Sequence, residues 1–144
     1  MKLSEAKIGR VFICSLDYDS DLYDSIEKLV QKHEIKNAWF WAIGALRKAR
    51  ISFYDQIKQE YQNLVVDKKL EIVSCTGNIA GLKDHRIIHA HVSLADSKGK
   101  SYGGHLISGC SIFATELFLI ELNGLRLERL YDAITGLNLL NPHS

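Results

Sequence analysis

The chain has 144 residues, 47% of them hydrophobic, and this length and apolar content fit a single domain with one core. Its 18 basic and 17 acidic residues leave a net charge of +1 with the histidines neutral. Such a balance argues against a dedicated nucleic-acid-binding domain, which normally carries a marked positive excess, although a local basic patch stays possible. We therefore expect one domain over residues 1–144.

The cysteines and the N-terminal segment indicate where in the cell the protein is expected. Cys14, Cys75 and Cys110 are widely spaced, and each lies in an apolar run. An odd number of cysteines without a Cys-x-x-Cys pair is typical of buried, reduced thiols rather than of a secreted disulfide framework. The segment MKLSEAKIGR has no apolar stretch of the signal-peptide type, and no apolar run approaches the roughly 20 residues of a transmembrane helix. We expect a cytoplasmic protein without membrane contact.

The first predicted elements are a strand at residues 10–16 and a helix that follows it. Ser20 or Asp21 can cap the start of the helix, and acidic residues crowd its first turn, where they suit the helix dipole. Helical spacing continues through Leu22, Ile26, Leu29, Val30 and His33.

The remainder of the chain has the pattern of strands. Residues 37–46 and 48–56 are expected to form a hairpin, and further strands are predicted at residues 68–81, 86–96 and 101–110. Residues 112–124 are dense enough in apolar side chains for a buried strand, although their Glu spacing also fits a helix. A strand is preferred because Asn123-Gly124 is a hairpin signal and the alternating segment LRLERLYDA follows. One helix packed on about seven mostly antiparallel strands is an α+β fold.

Three histidines fall within seventeen residues on two of these strands. His89 and His91 are two residues apart, so their side chains share one face of a strand. His105 lies on the returning strand, where a four-residue loop would set it opposite Val92, on the wrong face. A shift of one residue, from an odd-length loop or from a bulge at Gly103-Gly104, sets His105 opposite His91.

In that register the three imidazoles can converge on one ion, because cross-strand Cβ atoms lie about 4.5–5.5 Å apart. Imidazoles suit zinc and similar transition metals, and three protein ligands with an open position are typical of a catalytic zinc. Two other interpretations remain: a His-x-His strand that simply faces solvent, and an anion site without metal.

Other residues are candidates for supporting chemistry. Glu71 could serve a metal-dependent reaction as general acid or base, with Asp84 and Tyr102 as weaker candidates. Alternatively, Glu71 pairs with Arg129 or contacts another subunit. Arg129 could also pair with Asp132 in a structural role.

Two further clusters could contact a partner. Arg47, Lys48 and Arg50 could begin a DNA-binding face, although basic residues also commonly protect sheet edges. The run Trp39, Phe40 and Trp41 is interpreted as core and interface rather than as a base-stacking surface.

The segments KKLEIVSCTGNIA, HAHVSLADSKGKSYGGHLISGC, ATELFLIEL and LERLYDAITGLNLL resemble, in order and spacing, the PPC domain family, conserved in plants and prokaryotes. The resemblance runs from about Gly9 to Leu140. It implies an antiparallel sheet with a packed helix, a homotrimer, and a metal usually taken as zinc. The implied ligands are His89 and His91 of the HxH pair and His105 of GGHL.

The function implied by the resemblance is less specific. In plants the domain follows an AT-hook, a short basic segment that enters the DNA minor groove, but this sequence contains no AT-hook. We expect a metal-binding homotrimeric module, DNA-binding or regulatory by family name, whose partner is DNA or a protein. The alternative is a small metal-dependent enzyme that holds a small-molecule ligand at its three-histidine site. A third possibility is a structural metal that steadies the sheet or the trimer.

Overall fold

The computed structural model describes residues 2–143, which form one α-helix and nine β-strands. In chain order the elements are β1 (Lys7–Leu16), α1 (Leu22–Lys32), β2 (Ala38–Asp55), β3 (Glu60–Val66), β4 (Leu70–Leu82), β5 (His85–Ala95), β6 (Ser101–Leu106), β7 (Ser111–Asn123), β8 (Arg126–Asp132) and β9 (Leu137–His143). The single helix and the largely antiparallel sheet confirm the predicted mostly-β architecture.

The sheet closes on itself around the core. Strand β2 pairs with β4 along its first half and with β6 near Ile51, while β5 lies between β4 and β6. Alternate residues of each strand therefore point into the enclosed core, as in β5, where Ile88, Ala90, Val92 and Leu94 are buried. His89 and His91 lie between these buried positions and consequently face outward.

The helix covers the core and is fastened at its start by one carboxylate. Asp21 is the N-cap, and its Oδ1 accepts a hydrogen bond from the backbone N–H of Asp24 at 3.0 Å. Its Oδ2 accepts from the N–H groups of Gly109 and Cys110, at 2.7 and 2.6 Å, in the loop between β6 and β7. The predicted helix start is thus confirmed, and Asp21 additionally anchors the helix to the sheet. The buried face of α1 is formed by Leu22, Ile26 and Val30.

The predicted hairpin at residues 37–56 is wrong, because β2 is one continuous strand of 18 residues. Bulges between Ala42 and Gly44 and near Leu46 bend it so that it can change partners. Gly44 has φ +137°, and a Cβ there would lie 2.1 Å from the carbonyl oxygen of Ala114. The position at which the two predicted strands were divided, next to Leu46, is one of these irregularities in β2 and not a turn.

The predicted hairpin after Asn123-Gly124 is also wrong. Strand β7 is present as predicted, but β8 turns away from it, pairs with β9 and touches β4 in parallel at Gly81 and Glu128. Strands β3 and β9 were not predicted. Six of the seven residues of β3 are exposed, so this strand has no buried face to produce alternation.

Within residues 2–143, no helix is long and apolar enough to cross a membrane. The three cysteines are free thiols, and burial raises the pKa of Cys75 to about 12 and that of Cys110 to about 11. Cys75 and Cys110 are buried as predicted, whereas Cys14 is only half-buried.

Candidate metal centre

The register of the β5–β6 hairpin brings the three histidines together. His91 pairs directly with His105, and the ring centroids of the three imidazoles lie 5.1–5.8 Å apart. One potential ligand atom from each residue lies within 4.8 Å of the other two. The ladder runs without a bulge from Ala95–Ser101 onward, so the loop of residues 96–100, which is odd in length, sets this register. The predicted alignment is present, and it comes from the loop rather than from a glycine bulge.

A single carboxylate fixes that loop. Asp96 Oδ1 accepts hydrogen bonds from the backbone N–H groups of Lys98 and Lys100, at 3.0 and 3.1 Å. Its Oδ2 accepts from Lys68 Nζ at 3.2 Å. These bonds, led by the Lys98 N–H, lower the pKa of Asp96 to about 2. Because loop length determines which residues face each other, the Asp96 turn holds His105 opposite His91.

On the side away from β5, the close approach of β6 to β2 fixes the position of His105. Ser52 of β2 pairs with His105, and a Cβ added at the neighbouring Gly104 would lie 2.6 Å from the carbonyl oxygen of Ser52. A glycine at this position therefore allows the two strands to meet, and His105 is held between Ser52 and His91.

Burial and charge keep two of the imidazoles neutral. The pKa of His89 is lowered to about 4, first by desolvation and then by the Arg129 cation and the other two histidines. Desolvation, followed by His91 and Arg129, also lowers the pKa of His105. A neutral imidazole has a free lone pair, which is the form that binds a metal. This donor set fits zinc or a similar divalent transition ion.

A cleft of about 330 Å³ adjoins the histidines. It lies between the β2–β3 hairpin and the β8–β9 hairpin, and His89 and His105 form part of its wall. The two hairpins are tied together where Tyr54 Oη donates to the carbonyl of Thr135 at 2.7 Å and Gln59 Nε2 to that of Ile134 at 3.1 Å. The ring of Tyr61 packs against His105 with centroids 5.3 Å apart.

Arg129 also lines this cleft, and sequence reasoning did not place it at the site. It is 8% exposed, and it donates from Nη2 to Asn78 Oδ1 at 2.7 Å and from Nη1 to the carbonyl of Asn138 at 3.1 Å. The suggested pair with Asp132 is absent, since Asp132 Oδ2 accepts instead from the backbone N–H and Oγ1 of Thr135. The alternation in β8 indicates that Arg129 is buried, because it puts Arg129 on the same face as the buried Leu127.

The other candidate residues lie elsewhere. Glu71 pairs with Ala95 at the far end of the β4–β5 ladder, four positions from His91, and lines a different cavity beside Arg47. Asp84 lies in the β4–β5 turn. Tyr102 belongs to the Asp96 turn, where its Oη bonds to Lys68 Nζ. None of these three side chains lines the cleft beside the histidines.

An apolar strip leads from the histidines across the outside of the sheet. Successive cross-strand pairs join Ile13 to Phe118, Phe118 to Trp41, Trp41 to Thr76 and Thr76 to His91. Ile13 is 80% exposed and Trp41 44%, whereas Phe40, the neighbour of Trp41 in the chain, is fully buried. The tryptophans thus belong to the outer surface and Phe40 to the core.

The basic cluster of Arg47, Lys48 and Arg50 is exposed, at the bend of β2. Arg47 is already paired with Asp19 and stacks over the ring of Tyr18, 5.5 Å from its centroid. The cluster thus presents less free positive charge than its sequence indicates.

Comparisons with known proteins agree with this fold. A model of the Plants and Prokaryotes Conserved (PCC) domain matches residues 3–123. A metal-containing protein from Archaeoglobus fulgidus is 41% identical, with a TM-score of 0.91 over 97% of this chain and 99% of that one. A plant- and prokaryote-conserved protein from Pyrococcus horikoshii is 30% identical, also with a TM-score of 0.91, over 98% and 97% of the two chains. A protein from Ralstonia eutropha, named as a candidate for DNA binding, is 25% identical with a TM-score of 0.79, over 90% and 89%.

Two longer curated proteins contain a similar segment. Each is the bifunctional protein GlmU of a Synechococcus strain, 29% identical over 129 residues in one and 30% over 118 in the other. The matches cover 88% and 81% of this chain but only 20% and 17% of those proteins. The chain therefore spans about a fifth of the length of these relatives, and their activities do not transfer to it.

Proposed function

The chain belongs to the Plants and Prokaryotes Conserved domain family, and on that premise we propose that it is a homotrimeric metal-binding module. Each protomer holds one zinc or similar divalent ion on His89, His91 and His105. The observation that carries this proposal is the convergence of three imidazole nitrogens within 4.8 Å, two of them on histidines whose pKa is lowered. The metal-containing relative from Archaeoglobus supports it.

The trimer draws its support from the apolar strip between Ile13 and Trp41. Contiguous exposed apolar surface of this kind commonly marks a protein–protein interface. We expect light scattering to give a mass near three times 16.3 kDa. A Trp41→Asp variant should shift the mass toward one chain, and a wild-type mass near one chain would refute the trimer.

A DNA or protein partner remains part of the proposal as the module's regulatory target. The Ralstonia relative, named as a DNA-binding candidate, favours DNA. The balanced net charge and the pairing of Arg47 with Asp19 favour a protein. A cytoplasmic location is supported by the three free thiols.

The second candidate function is a small metal-dependent enzyme, and the cleft beside the histidines favours it. When bound, zinc with three protein ligands supplies a Lewis acid with an open position. His89 and His105 would hold the ion at the wall of the cleft, where a ligand would lie between the two hairpins. Glu71 lies too far along the sheet to serve there, so a general acid or base would come from the cleft or from the ligand itself.

Metal content tests the proposal directly. Tag-free protein, purified without chelators, is measured by plasma mass spectrometry beside a His89→Ala/His91→Ala variant. The matched control is His85→Ala, because His85 is exposed on the same strand but outside the cluster. We expect about one ion per chain in the wild type and in the control, and none in the double variant. An absence of metal from wild-type protein after incubation with zinc would refute the metal site.

A further inference from the structure

Arg129 is a buried cation with no acid beside it. Within residues 2–143 its guanidinium forms no salt bridge, and its two hydrogen-bond acceptors, Asn78 Oδ1 and the carbonyl of Asn138, are neutral. Its buried Nε–H has no hydrogen-bond partner in the same part of the chain. The acids of its own hairpin are used elsewhere, since Glu128 pairs with Arg126 at 2.6 Å and Asp132 bonds to Thr135.

Such an arrangement is costly unless something else supplies the counter-charge. A charge removed from water requires pairing and hydrogen bonding, and an unpaired buried donor destabilises the fold. Two neutral acceptors hold the position of Arg129 without compensating its charge. The missing partner is therefore expected to be an anion that enters from the cleft.

The cleft that Arg129 lines has the size and lining of a small-molecule site. Its volume of about 330 Å³ lies at the lower end of the range typical of ligand pockets. Tyr54, Tyr61, Ile87 and Leu139 form largely apolar walls, with Arg129 as the one cation among the lining residues. A planar guanidinium matches a carboxylate, whose two oxygens can accept two N–H bonds at once.

We propose that this cleft binds a small monocarboxylate with an apolar body, whose carboxylate lies on Arg129 and whose body packs against the two tyrosines. Recognition of the carboxylate does not need the metal. The bound acid would also lie beside the three-histidine centre, because His89 and His105 form part of the same wall. This second part of the proposal rests on the proposed function. A phosphate dianion is less suitable, because Arg129 is the one arginine or lysine that lines the cleft and would compensate only half of its charge.

Benzoate is the probe, and benzamide is its neutral counterpart of the same shape. Calorimetric titrations use wild-type protein both loaded with zinc and stripped by chelator. We expect saturable binding of benzoate in both forms and none of benzamide. Arg129→Gln should weaken benzoate at least about tenfold, the effect expected when a charge-assisted hydrogen bond is lost. Arg126→Gln is the matched control, because Arg126 lies on the same strand but outside this cleft, and it should bind like the wild type.

A second measurement does not depend on whether the variant folds. In wild-type protein labelled with ¹⁵N, the Nε–H resonance of Arg129 should shift when benzoate is added and stay in place with benzamide. An unmoved resonance, equal binding by Arg129→Gln, or binding of inorganic phosphate in place of benzoate would each overturn the proposal. Zinc content is measured on the same samples. Bound zinc without benzoate binding would refute the carboxylate site alone, and benzoate binding without bound zinc would refute the metal site alone.

Discussion

Replacing Gly104 by alanine should weaken both the fold and the metal site. The added Cβ would lie 2.6 Å from the carbonyl oxygen of Ser52, whereas ordinary contact begins near 3.4 Å, so β6 and β2 must separate by roughly 0.8 Å (3.4 − 2.6). Over-packing of this size costs about 1–3 kcal/mol. His105 is the next residue and would move with β6, so we expect zinc affinity to fall at least about tenfold.

Gly103→Ala is the matched control for Gly104→Ala. Its Cβ would meet only the carbonyl oxygen of Val92, at 3.3 Å, so the free energy of unfolding should change by less than about 0.5 kcal/mol. Urea denaturation followed by tryptophan fluorescence measures stability, and competition with a chromophoric chelator measures zinc affinity. Equal stability of the two variants would refute the steric argument. A destabilised Gly104→Ala protein that binds zinc as tightly as the wild type would refute the link between this strand contact and the site.

Three further substitutions probe other parts of the fold by urea denaturation. Gly77→Ala should lower the free energy of unfolding by about 1–3 kcal/mol or more, because its Cβ would lie 2.7 Å from the ring of Phe40 inside the closed sheet. A variant as stable as the wild type would contradict that packing. Asp21→Asn should lower the free energy of unfolding by about 1–2 kcal/mol, because an amide has only one oxygen and cannot accept from both the helix and the Cys110 N–H. An unchanged urea midpoint would show that other contacts anchor the helix. The pKa of Asp96 is about 2 in the folded chain and about 3.9 in an unfolded one. The ionised carboxylate therefore stabilises the fold above about pH 3.9, and this stabilisation is lost as the pH falls toward 2. The stability difference between wild type and Asp96→Asn should therefore shrink between pH 6 and pH 3, and a constant difference would contradict this reasoning.

The histidine cluster was predictable because it depends on two simple properties of a hairpin. A period of two places His89 and His91 on one face, and an odd loop length brings His105 opposite His91. The first property is visible in the sequence, whereas the odd loop is only one of two ways in which the sequence allows His105 to face His91. Whether a loop or a bulge supplied the shift was not visible, because that choice depends on the hydrogen bonds of Asp96.

The parts that sequence reasoning missed depend on contacts between distant segments. Nothing local distinguishes a bend in β2 from a hairpin, since the bend is fixed by the opposing backbone at Ala114. Glu71 is a candidate in the sequence because alternation places it on the face opposite Leu70 and Ile72, but alternation does not tell how far along the ladder from the histidines a residue lies. Arg129 reaches the site only because the β8–β9 hairpin folds back over β4.

The pairing of β1 with β7 has a consequence for how the chain is made. Arg10 and its partner Glu121 are 111 residues apart, so β1 has no neighbour until nearly the whole sheet has been synthesised. Contacts of such long sequence separation are slow to form, because a large loop must close before they contribute any stability. During synthesis on the ribosome, β1 and one edge of β2 have no partner until β7 emerges, and exposed edges of this kind favour aggregation.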